Sequence, residues 1–169
     1  TMLIVITTDA SIAPEMLQKG VSADVKDSFN MVSVDGDTST NDMVCVLANG
    51  MAENEPVTAP GKDFTVFRKA LNKVTTALCR SIAKDGEGAT KLLECKVTGA
   101  KSRQAARTVA KSVIKSSLFK AAMFGADANW GRVLCASGYA GAEVDIGRVS
   151  VDFRSRAGTV AVCREGSGI

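Results

Sequence analysis

The sequence predicts an α/β or α+β fold in which mixed sheets are flanked by helices. Short aliphatic runs typical of buried strands alternate with longer segments whose apolar residues recur at helical spacing. Hydrophobic residues make up 46% of the 169 positions and aromatic residues only 5%, so the predicted core is aliphatic. Because no internal repeat or linker interrupts the pattern, we predict a single domain over residues 1–169.

The first third of the chain carries three predicted strands and one helix. The aliphatic run Met2–Ile6 predicts a strand that is covered on both faces. A helix is predicted from Ile12 to about Phe29, with Pro14 near its first turn, where a missing N–H is tolerated. Met31–Asp35 and Met43–Ala48 predict two further strands, which are joined by the polar stretch GDTSTND.

A long amphipathic helix is predicted after a proline-containing loop. Its apolar residues recur at helical spacing from Phe64 to Ile82, and the helix is expected to stop at Asp85–Gly86. The segment KLLECKV at 91–97 alternates apolar and charged residues, which is typical of a half-exposed strand.

The last part of the chain predicts two more helices and two strands. Apolar spacing favours an amphipathic helix from about Ser102 to Phe119, and RVLCASGYA predicts a short helix. Trp130, just before that segment, is interpreted as a packing anchor at a helix start, with Asn129 as its cap. Arg148–Phe153 and Thr159–Arg164 predict the final strands.

The composition excludes several classes of site. The chain has no histidine, so it cannot supply a Ser-His-Asp triad, a Cys-His dyad or a histidine metal ligand. The stretch DGDTSTND fails as a calcium loop, because Thr40 and Val46 stand where glycine and glutamate are required. We therefore predict no metal site and interpret this stretch as a polar turn joining two strands through side-chain hydrogen bonds.

The cysteines indicate a reducing compartment. Five cysteines in aliphatic surroundings form no C-x-x-C pair, which indicates buried free thiols: Cys45, Cys79, Cys95, Cys135 and Cys163. No apolar run approaches the ~18 residues of a membrane helix, and no signal peptide is recognised. We predict a cytoplasmic protein without a membrane partner.

A stripe of basic residues runs along the helix predicted at 102–119. It comprises Arg103, Arg107, Lys111 and Lys115, which fall every four residues. The stripe is either a surface for nucleic acid or an acidic partner, or a solvated helix face. No aromatic residue is interleaved for base stacking and the net charge is only +3, so we favour the solvated face and predict no nucleic-acid partner.

Two residues are candidates for chemistry. Thr1 is either an ordinary chain start or an N-terminal nucleophile, whose own α-amine, with a pKa near 7.7–8.0, would serve as base without a histidine. Glu87 lies between Gly86 and Gly88. It is either a solvated turn residue or a carboxylate that binds a cationic group.

Five motifs, in matching order, resemble the β chain of ornithine acetyltransferase, also called bifunctional glutamate N-acetyltransferase: TMLIVITTDA, GDTSTND, DGEGATK, KVTGAKS and SSLFKAAMFGADANWGR. The resemblance implies an α/β sandwich similar to the self-processing aminopeptidases. It implies self-cleavage immediately before Thr1 and ping-pong transfer of acetyl from N2-acetyl-L-ornithine to L-glutamate through an acetyl-Thr1 intermediate. It makes Thr1 catalytic and Thr1 and Glu87 substrate-binding.

The resemblance also implies a partner. An α chain from the same precursor would supply the oxyanion-hole donors and a substrate lysine in an α2β2 heterotetramer, so this chain alone should be inactive. No cofactor is expected, although some members accept acetyl-CoA as a substrate. Family β chains continue past a segment like REGSGI, so we expect the C-terminal tail to be missing after Ile169.

Two alternatives remain open. One is an N-terminal nucleophile amidase or aminopeptidase, for which water is the acceptor and glutamate has no effect on the rate of ornithine release. The other is a non-catalytic binding domain that uses the basic helix and binds nucleic acid in a salt-sensitive manner.

Overall fold

A computed structural model describes residues 2–169 and shows a mixed α/β architecture with two sheets flanked by helices, which confirms the predicted fold class. The chain forms two compact units. The first comprises residues 2–32 and 36–83 of the described chain, and the second comprises residues 33–35 and 84–169.

The first unit is built on a parallel pair of strands. Strand β1 (Leu3–Thr8) pairs with β2 (Met43–Ala48) in a continuous register from Leu3 opposite Met43 to Thr8 opposite Ala48. Helix α1 (Pro14–Asp24) lies between them in sequence, as a parallel connection requires a crossover. The strands predicted at the chain start and at Met43–Ala48 are confirmed, the first extending to Thr8.

The long predicted helix is confirmed as α2 (Lys62–Lys84). Its buried residues fall on one face at helical spacing: Phe64, Leu71, Thr75 and Cys79. It contacts α1 at Gly20, where an added Cβ would lie 3.6 Å from a ring carbon of Phe64. Helix α1 is shorter than predicted, because the chain leaves it at Val25 and the Ser28 hydroxyl donates to the Asp24 carbonyl at 2.9 Å.

The strand predicted at Met31–Asp35 is wrong. A short 3₁₀ helix covers Phe29–Met31, and the residues after it form no strand. The carbonyl of Val34 accepts a hydrogen bond from the Lys120 ammonium at 2.6 Å, so a side chain satisfies it instead of a neighbouring strand.

The second unit combines three helices with a small antiparallel sheet. The helices are α3 (Arg103–Lys115), α4 (Ser117–Phe124) and α5 (Trp130–Gly138). The strands that follow them are β3 (Val151–Ser155), β4 (Gly158–Arg164) and β5 (Ser167–Gly168), and they lie in the sheet in the order β3-β4-β5. The helix predicted to Phe119 is interrupted, because Ser116 is extended and its hydroxyl accepts from Phe119 N, capping α4.

The core of this unit brings helices α3, α4 and α5 together. Val113, Phe119 and Ala136 are buried at its centre, and the rings of Phe119 and Phe153 stack with centroids 6.4 Å apart. Leu93 and Cys95 pack against this cluster while Glu94 and Lys96 stay exposed. The predicted alternation at 91–97 is therefore present, but the predicted strand is wrong, because none of the described residues pairs with this segment.

All five cysteines, which lie within residues 2–169, are free thiols. Cys79 and Cys163 are buried, whereas Cys135 is exposed, so the buried-thiol prediction is wrong for Cys135. Within residues 2–169, none of the helices combines the length and apolarity needed to cross a bilayer.

Candidate functional site

The residue next to the predicted nucleophile is held from two sides. Thr1 itself lies outside the described residues. The backbone N–H of Met2 donates to Oδ1 of Asp42 at 2.7 Å, and the carbonyl of Met2 accepts from the N–H of Met43 at 2.9 Å. Because β1 and β2 are parallel and in register, the residue before one strand lies beside the residue before the other.

Asp42 is exposed and remains an anion near neutral pH. A hydrogen bond from the Ser39 side chain and one from the Met2 N–H hold the pKa of this carboxyl below its usual value. The stretch GDTSTND forms irregular, mostly exposed backbone that leads into β2, so the predicted polar turn between two strands is wrong, although a side-chain hydrogen bond within the stretch does join Ser39 to Asp42.

One face of the β1–β2 pair is apolar and open. Leu3 and Val5 of β1 are 66% and 60% exposed, and their neighbours Met43 and Leu47 on β2 are 45% and 55% exposed. The prediction of a strand covered on both faces is therefore wrong for the described chain, since only the face bearing Ile4 and Ile6 is partly buried.

Glu87 occupies the tip of a tight turn between α2 and the segment 91–97. The N–H of Ala89 donates to the carbonyl of Gly86 at 2.9 Å and closes the turn. Gly88 has a φ of 69°, the left-handed backbone that a turn of this kind places at its third residue and that favours glycine. The Glu87 side chain is exposed, so the turn presents its carboxylate to solvent.

The basic stripe is not uniformly solvated. Arg103 and Lys115 are exposed, but Arg107 and Lys111 are half-buried. Burial, together with the charges of Lys115 and Lys120, lowers the pKa of Lys111. The solvated-face interpretation therefore holds for the two ends of the stripe and is wrong for its middle.

The start of α5 agrees with the sequence-based prediction. The Asn129 side chain accepts a hydrogen bond from Arg132 N at 3.2 Å and caps the helix that Trp130 begins. The indole lies against Gly168, where an added Cβ would come within 2.7 Å of a ring carbon. Across residues 2–169, no cluster of three or more His, Cys, Asp or Glu side chains could hold a metal ion.

Asp42 contacts the residue that follows the predicted nucleophile, and the sequence motifs do not single it out. It belongs to the GDTSTND motif, but no partner for it is evident from the motif alone. The register of the two strands does bring Asp42 to Met2. The strands pair in parallel with Leu3 opposite Met43, so the residues before them, at positions 2 and 42, lie side by side. Glu87 lies in the second unit of the chain, whereas Met2 and Asp42 lie in the first.

Comparison with known proteins identifies the relatives of this chain. The arginine biosynthesis bifunctional protein ArgJ 1 of Clostridium acetobutylicum is 52% identical over 169 residues, which is 100% of this chain and 41% of the relative. Its counterpart in Thermotoga neapolitana is 46% identical and is covered to 43%. The chain thus spans about two fifths of the curated relatives it matches.

A solved structure shows the same fold. The crystal structure of arginine biosynthesis bifunctional protein argJ from Bacillus halodurans matches with a TM-score of 0.93 and 46% identity, over 100% of this chain and 78% of that chain. The model of the ArgJ family matches residues 1–169. With every residue inside that match and relatives close to half identical over the same span, the chain belongs to the ArgJ family.

Proposed function

We propose that the chain is the β subunit of an acetyltransferase of arginine biosynthesis, which moves the acetyl group from N2-acetyl-L-ornithine to L-glutamate. The observation that carries this proposal is the match of residues 1–169 to the ArgJ family, together with relatives named arginine biosynthesis bifunctional proteins. Acetyl-CoA is proposed as a further acetyl donor, and no cofactor is required.

The proposed reaction uses one residue as nucleophile and base. The Thr1 hydroxyl attacks the acetyl carbonyl while the Thr1 α-amine accepts the hydroxyl proton through a water molecule. Collapse of the tetrahedral intermediate returns that proton to the leaving amine of ornithine and leaves an acetyl ester on Thr1. The glutamate amine then attacks the ester carbonyl, the bond between the acetyl carbon and the Thr1 oxygen breaks, and the Thr1 α-amine passes the proton lost by the glutamate nitrogen to that oxygen, which regenerates the hydroxyl and releases N-acetylglutamate. The absence of histidine from the chain is in keeping with this base.

Glu87 is proposed to bind the cationic side chain of ornithine. Its carboxylate is exposed at the tip of a glycine-flanked turn, where a ligand can approach closely. An ammonium group paired with a carboxylate forms a charge-assisted hydrogen bond, which is stronger than a neutral one.

The partner is proposed to be an α chain released from the same precursor by cleavage before Thr1, in an α2β2 assembly in the cytoplasm. About three fifths of each curated relative lies outside this chain. The open apolar face formed by Leu3, Val5, Met43 and Leu47 is the surface that we propose this remaining part covers. The α chain would also supply the oxyanion-hole donors.

The proposal is tested by trapping the acetyl-enzyme. The full-length precursor is expressed, and the resulting complex is incubated with acetylornithine in the absence of glutamate. Intact-mass spectrometry should show one acetyl adduct on the chain that begins at Thr1, and glutamate should remove it. Thr1→Ser should keep partial processing and activity, whereas Thr1→Ala should leave an uncleaved precursor.

Two outcomes count against it. Turnover without an adduct would contradict the covalent route, and cleavage of the Thr1→Ala precursor at the same bond would contradict self-processing. If glutamate fails to raise the rate of ornithine release, water is the acceptor and the amidase alternative is correct.

The role of Glu87 has its own test. Glu87→Gln should raise the KM for acetylornithine by roughly 10-fold or more, because a hydrogen bond to a charged group contributes about 1.5–3 kcal/mol. Asp85→Asn removes an exposed carboxylate two positions away and is the matched control. Steady-state kinetics measure the KM for acetylornithine in both variants. An equal KM in the two variants would show that Glu87 does not bind the substrate.

A further inference from the structure

We propose that Asp42 is a positioning residue for the Thr1 nucleophile, because its carboxylate holds the N–H of the peptide bond that joins residue 1 to strand β1. The contact is the 2.7 Å hydrogen bond from Met2 N to Asp42 Oδ1. This inference rests on the proposed function, since it assigns Asp42 a part in the same reaction.

The hydrogen bond acts on a rigid group. The Met2 nitrogen is bonded directly to the carbonyl carbon of residue 1, and the peptide unit between the two residues is planar. A fixed direction of the Met2 N–H therefore fixes this plane. Between the plane and the threonine hydroxyl there remain only the rotation about the Cα–C bond of residue 1 and its χ1. Asp42 thus removes freedom at the point where a nucleophile must be placed to within a fraction of an ångström.

The two residues that hold Met2 do different work. Met43 N donates to the Met2 carbonyl at 2.9 Å as the first bond of the parallel ladder, which the remaining pairs to Thr8 and Ala48 continue. Asp42 instead satisfies an N–H that lies before the strand, from 40 residues away along the chain. The hydrogen bonds of the ladder hold β1 without the Asp42 contact. The Asp42 hydrogen bond therefore acts mainly on the peptide bond between residue 1 and Met2.

The environment of the Asp42 carboxylate favours a role in positioning the nucleophile over a role in stabilising the fold. The Asp42 carboxylate is exposed, and surface interactions of such a group contribute little to the folded state. A hydrogen bond from the Ser39 side chain reaches the same carboxyl group and restrains it from within the GDTSTND stretch. Restrained by Ser39 on one side, Asp42 is an ordered acceptor for the Met2 N–H.

The test compares Asp42→Asn, which keeps a side-chain oxygen as acceptor, with Asp42→Ala, which removes it. Asp9→Asn, an exposed aspartate just after the other end of β1, is the matched control. Each enzyme is assayed as the α/β complex for single-turnover acetylation by acetylornithine, for kcat and KM, and for thermal melting. Where a precursor fails to cleave, the two halves are co-expressed with an initiator methionine that is removed ahead of Thr1.

We expect Asp42→Ala to slow acetylation and kcat by about 10- to 100-fold, with KM within about twofold, as for a misplaced reacting group. Asp42→Asn should recover most of the rate, and Asp9→Asn should match the wild type. A wild-type acetylation rate in Asp42→Ala overturns the inference. So does an Asp42→Asn variant as slow as Asp42→Ala, or a rate loss accounted for by unfolded protein. If the wild type itself forms no adduct, the proposed function fails and the role of Asp42 fails with it, whereas a normal wild-type adduct with an unchanged rate in Asp42→Ala overturns the role of Asp42 alone.

Discussion

Asp24 shows how a single residue joins two helices within the first unit. Its carboxylate is only 6% exposed and accepts hydrogen bonds from Ser28 at 3.1 Å, Asn72 at 2.7 Å and Thr75 at 2.6 Å. A buried charge is tolerated when it is paired in this way. Burial, followed by the charge of Asp24, raises the pKa of the Cys79 thiol to about 11, so this thiol is protonated and unreactive near neutral pH.

Thr75→Val removes the shortest of these hydrogen bonds while keeping the shape of the side chain. We expect a loss of about 1.5–3 kcal/mol in the free energy of unfolding, because a buried carboxylate loses a donor. Thr76→Val, the same change at the exposed neighbouring position, should alter stability by less than about 0.5 kcal/mol. Urea denaturation of both variants measures the difference, and equal midpoints would show that Asp24 does not depend on Thr75.

Residue-level chemistry is only partly predictable from the sequence. Thr1 and Glu87 can be proposed because a residue type, its position in the chain and the absence of histidine each carry chemical meaning. The roles of Asp24 and Asp42 cannot be proposed from the sequence. Both residues depend on partners about 40 to 50 positions away, which only the packing of the chain brings near.

Among the elements, the helices are predicted better than the strands, since a helix closes its hydrogen bonds within its own segment. The apolar spacing that predicts α2 reproduces its buried face from Phe64 to Cys79. A strand needs a neighbour, and the segments at 31–35 and 91–97 have the right composition without one among the described residues. Ser116 interrupts the helix at 103–124 because its hydroxyl caps α4, although the apolar spacing continues through it.

The turn between β4 and β5 depends on one glycine. Gly166 has a φ of 75°, and a Cβ built there would lie 2.7 Å from the carbonyl oxygen of Ile146. Gly166→Ala should lower the free energy of unfolding by at least about 1–3 kcal/mol, since backbone strain and the clash act together. Gly138→Ala, in helix α5 where the added Cβ would meet its nearest neighbour at 4.0 Å, is the control and should not lower the free energy of unfolding. Thermal melting compares the two, and equal melting temperatures would contradict the clash.

At the scale of the molecule, the described chain leaves apolar surface that an independent protein would cover. The open face of β1–β2 carries four large apolar side chains, and a parallel pair of strands is ordinarily covered on both faces. The family and the fold class are predictable from motifs spread along the whole chain. The surface that covers this face in the proposed α/β complex is not predictable, because the residues of the proposed α chain lie outside this sequence.

The proposed α-chain interface can be tested with a charge. Val5→Lys should weaken association of the two separately expressed halves, because it places an ammonium group in the open apolar face. Val66→Lys is the control, since Val66 on α2 is 58% exposed against 60% for Val5. Co-purification and gel filtration report assembly, and dye binding to exposed apolar surface should rise for Val5→Lys alone. Equal assembly of both variants would place the α chain elsewhere.

The parallel pairing of β1 with β2 also determines when, during synthesis, strand β1 can find its partner. The first strand meets its neighbour only after some 40 further residues, including helix α1, have been synthesised and folded. If the proposed self-cleavage requires Met2 to be held by Asp42 and Met43, the peptide bond before Thr1 would stay intact until those two hydrogen bonds have formed. Cleavage would then act as a folding checkpoint, and a chain that fails to form this pair would stay in one piece.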